Sequence, residues 1–332
     1  MAGTVAGATR DDLPGPPDRR ESWRRAFVHL RLPFSLVLTP LYLWGVYLAL
    51  SELRHGLSDG GHVALAGSDG VSARFWLRIL LGYLIVHGPL YGGMNAFNSY
   101  YDRDEGPIGA LAEPPPVDRT VWIVAVVAKG LALAASLALG LPFALLTLGA
   151  VVFSALYSHP RWRWKERPVW AALTVFCGQG GVGVMWGWLA AGGGRHGPPD
   201  WTFWIGLLGA ALWTLGCYPL TGSYQVASDG ARGMRTLAVA LGVDGCFRFA
   251  AWVAVPGGLL LGLVLVDRGA LLAALAAGIY LALAGLRTWR WRRAFAGQTP
   301  KENQRNLMHL VLANGAFFSL IFGLLIARLS LL

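Results

Sequence analysis

The chain has 332 residues, 55% of them hydrophobic and only 14% charged, whereas soluble domains carry about 25% charged residues. That balance excludes the two soluble domains the length alone would allow and calls for one helical membrane domain. The net charge of +10 does not mark a nucleic-acid partner, because the basic residues cluster in short connections between apolar segments, where topology signals lie.

Residues 1–24 open on a stretch rich in Pro, Gly, Asp and Arg and read as a disordered cytoplasmic segment; residues 25–332 read as the transmembrane domain. The first apolar run, 33–51, follows Arg24, Arg25 and Arg31. It has no small-residue cleavage site after it, so it reads as a retained span. Runs near the roughly 20 residues a spanning helix needs follow at 76–98, 120–138, 141–157, 169–191, 202–221, 247–266, 269–287 and 308–331. The expected fold is therefore all-α, a polytopic bundle of nine transmembrane helices. Leu139-Gly140 and Asp267-Arg268 leave room only for tight hairpins.

The N-terminal segment and the connections 99–119, 158–168, 222–246 and 288–307 hold 21 of the 28 Lys and Arg residues, counting Arg248 and Arg287 at the adjoining span edges. The positive-inside rule places these connections in the cytoplasm, with the N-terminus inside and the C-terminus outside. Arg, Ala and Gly richness suggests a GC-rich bacterial genome, and the expected location is then the bacterial inner membrane. Cys177, Cys217 and Cys246 show no CxxC spacing and read as small packing residues. Lys129 lies mid-way along the third span without an acid within one turn, and the sequence assigns it no role.

Polar residues gather at the cytoplasmic ends of the second and sixth spans. On the second, His87, Asn95, Asn98 and Asp102 fall within an arc of roughly 80° on a regular helix. On the sixth, Thr221, Gln225, Asp229 and Arg232 follow at four, four and three residues. Asn98-x-x-x-Asp102 and Gln225-x-x-x-Asp229 repeat one amide-then-carboxylate step on two helices, as two halves of one site would. A charge at membrane depth costs roughly 2.5–3.5 kcal/mol, so such groups line cavities or pathways, here a polar cavity open to the cytoplasm. Magnesium binds through one or two carboxylates plus substrate phosphates. Asp102, Asp104, Glu105 and Asp229, with Asn98, supply oxygen donors, and Arg103, Arg232 and Arg235 can contact phosphate. A third segment on the same side, Tyr157-Ser158-His159-Pro160 through Lys165, brings a lysine within reach of a diphosphate. Its Trp162 and Trp164 read as an interfacial belt.

These three segments resemble the UbiA-type superfamily of intramembrane prenyltransferases, which has nine transmembrane helices and two Asp-rich motifs. The first motif, Asn-Asp-x-x-Asp-x-x-x-Asp, is matched at Asn98 and Asp102, with Ser99 and Gly106 in place of the other acids. The second, Asp-x-x-x-Asp then Gly-x-Arg-Thr-Leu, is matched at Asp229 and at Gly233, Arg235, Thr236 and Leu237, with Gln225 in place of the first acid. Tyr157, Ser158, Pro160 and Lys165 match a Tyr-Ser-x-Pro…Lys segment. The resemblance spans residues 25–331. It implies magnesium-dependent transfer of a prenyl chain from its diphosphate to a lipophilic acceptor, often an aromatic ring or quinone precursor; no protein partner is predicted. Asn98, Asp102 and Asp229 would be catalytic, and Asn98, Asp102, Asp104, Glu105 and Asp229 would hold the metal. Lys165, Arg103, Arg232, Arg235, Gln225 and Tyr157 would bind the diphosphate. Tyr100, Tyr101, Tyr157 and Tyr224 are candidates to shield an allylic cation. No general base stands out beyond His87 and His159. The three missing acids keep two other readings open: an intramembrane terpene cyclase with the same leaving group, and a non-enzymatic transporter or lipid-binding protein.

Overall fold

Lipid offers the backbone no hydrogen-bond partner, so apolar segments of this length close their hydrogen bonds internally as helices. The computed structural model describes residues 18–58, 66–67, 70–71, 73–104, 106–194 and 198–331. The helices are α1 (Arg19–Val28), α2 (Thr39–Ser58), α3 (Ala73–Ile85), α4 (Tyr91–Asp102), α5 (Arg119–Ser136), α6 (Leu141–Ser158), α7 (Pro168–Leu173), α8 (Val182–Ala190), α9 (Trp201–Gly222), α10 (Val226–Ala231), α11 (Leu237–Asp267), α12 (Leu271–Ala294) and α13 (Pro300–Leu331). A two-residue hairpin pairs Ala66–Gly67 with Gly70–Val71.

Among the described residues, eight helices are long and apolar enough to cross a membrane, one fewer than the nine expected. The second expected span is helical but is not one of the eight: Arg78, His87, Asn95 and Asn98 dilute its apolar character. It runs through α3 and α4, joined by a π-helical turn at Val86–Leu90 that contains Pro89. Residues 19–24, expected within the disordered segment, are helical in α1; residues 1–17 lie outside the described residues.

Two further boundaries differ from expectation. The connection 288–307 shrinks to a short turn, because α12 continues to Ala294 and α13 begins at Pro300. A capping box starts α13: the Thr299 N–H donates to Glu302 Oε2 at 2.8 Å and the Glu302 N–H to Thr299 Oγ1 at 3.3 Å. Apolarity stops at the membrane face, but helix propensity and capping do not.

Small residues let the helices touch. A Cβ at Gly45 would collide with the Val184 carbonyl and one at Gly187 with that of Tyr42, so α2 and α8 meet backbone to backbone. The tightest core surrounds this contact, with Tyr42, Trp44, Tyr47 and Trp186 buried. Lys129 finds its account here. Its stem lies against Gly93, and its Nζ sits 3.4 Å from the centroid of the Phe97 ring, a cation–π contact that offsets burial.

Candidate active site

Most of the polar residues singled out in the sequence converge on one cavity of about 850 Å³. Its mouth is built from the ends of α4, α6 and α9, from α10, and from the segment after α6. Asn98, Asp102, Asp104, Tyr157, Lys165, Gln225, Asp229 and Arg232 all line it. The amide-then-carboxylate repeats therefore meet, although they lie on helices far apart in the chain.

Asp102 is the hub. It accepts a hydrogen bond from Asn98 Nδ2 at 2.8 Å and an ion pair from Lys165, both charged side chains being about nine-tenths buried (10% exposed). Asn98 also donates to Ser158 Oγ at 3.3 Å, which ties the first motif to the end of α6. Tyr157 shares a 2.7 Å hydroxyl contact with Tyr218. Asp104 faces Arg232 at 3.6 Å. Burial and, next, the Asp102 charge push the Asp104 carboxyl above its ordinary value, and Lys165, Arg232 and Arg31 only partly counter this. At Asp104, burial and repulsion thus outweigh the attraction of the nearby cations.

That imbalance suits a divalent cation. Among the described residues no three or more His, Cys, Asp or Glu side chains stand together as a metal site. Magnesium needs no such cluster, since it keeps waters and takes substrate phosphates as ligands. Asp102, Asp104, Asp229 and the Asn98 amide offer hard oxygen donors to the same cavity.

Several expectations change. Arg103 ends α4 in a left-handed conformation (φ 49°) and lies outside the cavity, its guanidinium 6.0 Å from the centroid of the Tyr100 ring. Arg235, between the Gly233 turn and the Thr236 cap of α11, is exposed and also off the cavity. Glu105 lies outside the described residues. Gln225 lines the cavity, but its amide donates to the Pro107 carbonyl at 3.1 Å and so anchors the loop after α4. His87 does not share the Asn98–Asp102 face, because the π-helical turn breaks the regular phase on which the arc depends; it is buried, stacked on Tyr83. His159 accepts the Arg161 N–H and packs on Tyr101, and it is no closer to being a base. Tyr100 and Tyr101 pack with Phe97, while Tyr91, Tyr157, Tyr218 and Tyr224 face the cavity.

Two arginines join the site that sequence reasoning read as topology charges. Arg31, buried and left-handed (φ 49°), donates from Nη2 to the Asn95 carbonyl at 3.0 Å and lines the mouth, its Nε unpartnered. Arg163, left-handed at φ 39°, pairs with Glu166 at 2.9 Å and also reaches the mouth. A clue to Arg31 was its place one residue before Leu32-Pro33, where a span entry turns. Gln304 closes the rim by donating to the Gly109 carbonyl at 2.9 Å.

Below the mouth the cavity is apolar and aromatic, ending among Trp44, Phe318 and Phe322. Polar side chains interrupt it, among them Gln179, Thr214 and Asn314. Asn314 lies ten residues along α13 from rim residue Gln304, roughly 15 Å by helical rise. Thr214, on α9, lies ten residues before Tyr224, which stands just beyond the end of that helix. The Asn314 Oδ1 is buried without a hydrogen-bond partner.

The sequence profile of the UbiA prenyltransferase family matches residues 60–321. Comparison with curated proteins finds no significant match. Among solved structures, a UbiA homolog from Archaeoglobus fulgidus bound to DMAPP and Mg2+ is similar at a TM-score of 0.64 and 16% identity, over 92% of this chain and 99% of that one. The apo UbiA homolog from Aeropyrum pernix K1 gives 0.59 and 17%, over 86% and 97%. A digeranylgeranylglyceryl phosphate synthase gives 0.54 and 14%, over 94% and 100%.

Proposed function

The chain belongs to the UbiA prenyltransferase family, and on that premise we propose that it transfers a prenyl group from a prenyl diphosphate to a lipophilic acceptor inside the membrane, with magnesium at the mouth. The observation that carries this reading is the meeting of Asp102, Asp229 and Lys165 at the polar mouth of one deep apolar cavity. The diphosphate belongs at the mouth and the hydrocarbon tail below it. The magnesium-bound DMAPP and GPP complexes of the A. fulgidus homologs support the same ligand class.

Asp102, Asp104 and Asp229, with Asn98, would hold the metal, which when bound neutralises the departing diphosphate. Lys165, Arg31, Arg163 and Arg232 bind and orient the diphosphate oxygens by charge-assisted hydrogen bonds. Lys165 is held ready by Asp102, and Asn98 fixes the carboxylate that holds it. As the C1–O bond breaks, positive charge develops on the allylic carbon. The ring faces of Tyr91, Tyr157, Tyr218 and Tyr224 shield it from water. The acceptor carbon then bonds to C1 and loses a proton to the diphosphate or to water at the mouth.

Gln179, Thr214 and Asn314 favour an acceptor with oxygen functions, as a phenol or quinone precursor has. A prenyl tail offers such groups no hydrogen bond, and a buried amide left without one costs roughly 1–3 kcal/mol. The Thr214 hydroxyl already donates to the Ala210 carbonyl at 2.8 Å, which leaves its oxygen free to accept.

The test is diphosphate release by the purified protein, supplied with prenyl diphosphates of several lengths and with phenolic and quinonoid acceptors. It is run with magnesium, with chelator, and with Asp102→Asn and Asp229→Asn. Release that needs the metal, both carboxylates and an acceptor supports transfer. Release without an acceptor, yielding a cyclic product, supports the cyclase instead. Absence of both release and magnesium-dependent binding overturns the enzymatic reading.

A further inference from the structure

The lengthening of α12 and α13 beyond their apolar cores creates a second feature, separate from the active site. A pocket of about 280 Å³ lies between the two helices on the same face as the cavity mouth. Arg287, Arg290, Trp291 and Ala294 of α12 line one wall, at the spacing of a single helix face. Asn306 and Leu310 of α13 line the other, and Gln298 of the connecting turn closes the end.

The turn is rigid. Trp291 Nε1 donates to Asn303 Oδ1 at 2.8 Å, and Asn303 Nδ2 donates to the Phe295 carbonyl at 3.1 Å. Asn306 Nδ2 donates to Gln298 Oε1 at 3.0 Å, which orients the Gln298 amide nitrogen as a remaining donor. No carboxylate lines the pocket. The contrast with the next arginine is informative: Arg292 is paired with Asp244 at 2.8 Å, whereas among the described residues neither Arg287 nor Arg290 has an acidic partner. Arg287 only approaches the His309 ring, at 3.4 Å. The outer flank is apolar, with Leu283 and Leu286 exposed above the arginines.

We propose that this pocket binds a phosphate-bearing anion, the headgroup of an anionic phospholipid whose acyl chains run up the exposed flank of α12. Paired guanidinium groups match phosphate oxygens, and basic pockets between transmembrane helices take up anionic headgroups. The volume suits a phosphate diester rather than a whole lipid, which leaves the tails in the bilayer. Leu310 lines both this pocket and the active-site cavity, so a bound headgroup sits one side chain away from the catalytic chamber.

The full-length protein is placed in nanodiscs of phosphatidylcholine with or without phosphatidylglycerol, and co-purifying lipid is measured by native mass spectrometry. Preferential retention of phosphatidylglycerol is expected. The pair Arg287→Gln and Arg290→Gln lowers it about tenfold, as loss of about 1.4 kcal/mol would. Arg292→Gln, whose charge is already met by Asp244, leaves it unchanged. Ala294→Trp fills the pocket while keeping both charges, and it also lowers retention. Inorganic phosphate is added as a competitor: no displacement marks the lipid as the source, and full displacement marks a free phosphate site. Equal retention in all variants, or equal loss with Arg292→Gln, overturns the proposal and leaves the arginines as topology charges.

Discussion

Acid–arginine clusters stand at both ends of the bundle, built from the same residue types and put to opposite uses. At the end away from the mouth, Asp200 caps α9 by accepting the Phe203 N–H at 2.9 Å and the Thr202 hydroxyl at 2.7 Å, and it pairs with Arg268. Glu52 accepts from Trp188 Nε1 at 3.0 Å and from the Asp200 N–H at 3.3 Å. Among the described residues Asp200 and Glu52 are both held by the fold, and neither lines the cavity. At the mouth, Asp102, Asp104 and Asp229 stand with Lys165, Arg232, Arg31 and Arg163 around open space. A charge satisfied by its own chain is a staple; a charge left in part unsatisfied beside a cavity is held for a ligand.

The same substitution at each end should separate the two roles. Asp229→Asn is expected to lower prenyl transfer by about 10²–10³-fold, the cost of removing one group that stabilises developing charge. Its melting temperature should be unchanged or raised, because it relieves repulsion. Asp200→Asn should leave turnover per folded molecule intact and lower stability by about 1–2 kcal/mol through lost hydrogen bonds. Turnover with magnesium and thermal unfolding, measured on both proteins, decide the matter. If Asp200→Asn proves the more inactivating, the division fails.

A smaller effect is expected from the arginines. Arg31→Gln should weaken binding of a prenyl diphosphate about tenfold, the worth of one charged hydrogen bond. Arg268→Gln should leave that affinity unchanged and lower the unfolding temperature. Isothermal titration with a non-hydrolysable prenyl diphosphate analogue reads the first, and a melting curve the second. Smaller again is Asn314→Leu: KM for a phenolic acceptor should rise about fivefold, through loss of one neutral hydrogen bond, with affinity for the diphosphate unaltered.

The mouth was more legible in the sequence than its rim. Asn98 and Asp102 keep their spacing on the regular end of α4, and Asp229 and Lys165 stand in motif segments on the same side of the bundle, so their meeting could be anticipated. Arg31 could not, because its role rests on a left-handed backbone and a tertiary bond to Asn95. Arg103 and Arg235 fall outside the cavity for the converse reason: both adjoin motif residues in sequence, but turns at Arg103 and Gly233 direct them away from it. His87 shows how far a helical-wheel argument reaches, since a π-helical turn ends the phase relation. The helical extensions of α12 and α13 were hidden by their charge, although Thr299-x-x-Glu302 signalled the start of α13.

The finest distinction is in acid. The folded Asp104 carboxyl sits above its ordinary value of 3.8, raised by burial and by Asp102, so between those two values the native state holds more proton than the unfolded chain. Stability then falls as pH rises through that window. Asp200 is the opposite case. Burial alone would raise its carboxyl, but the Thr202 hydroxyl, the Phe203 N–H and Arg268 outweigh that and hold it below 3.8. Its contribution is present above 3.8 and is lost as pH falls through the folded value. Melting temperatures taken across this acidic range should therefore shift in opposite senses for Asp104→Asn and Asp200→Asn relative to the parent chain. Magnesium should shrink only the Asp104 component, because a bound cation favours the ionised carboxylate at the mouth and has no partner at the far end. A magnesium effect of equal size in Asp104→Asn would place the cation elsewhere than on this carboxylate.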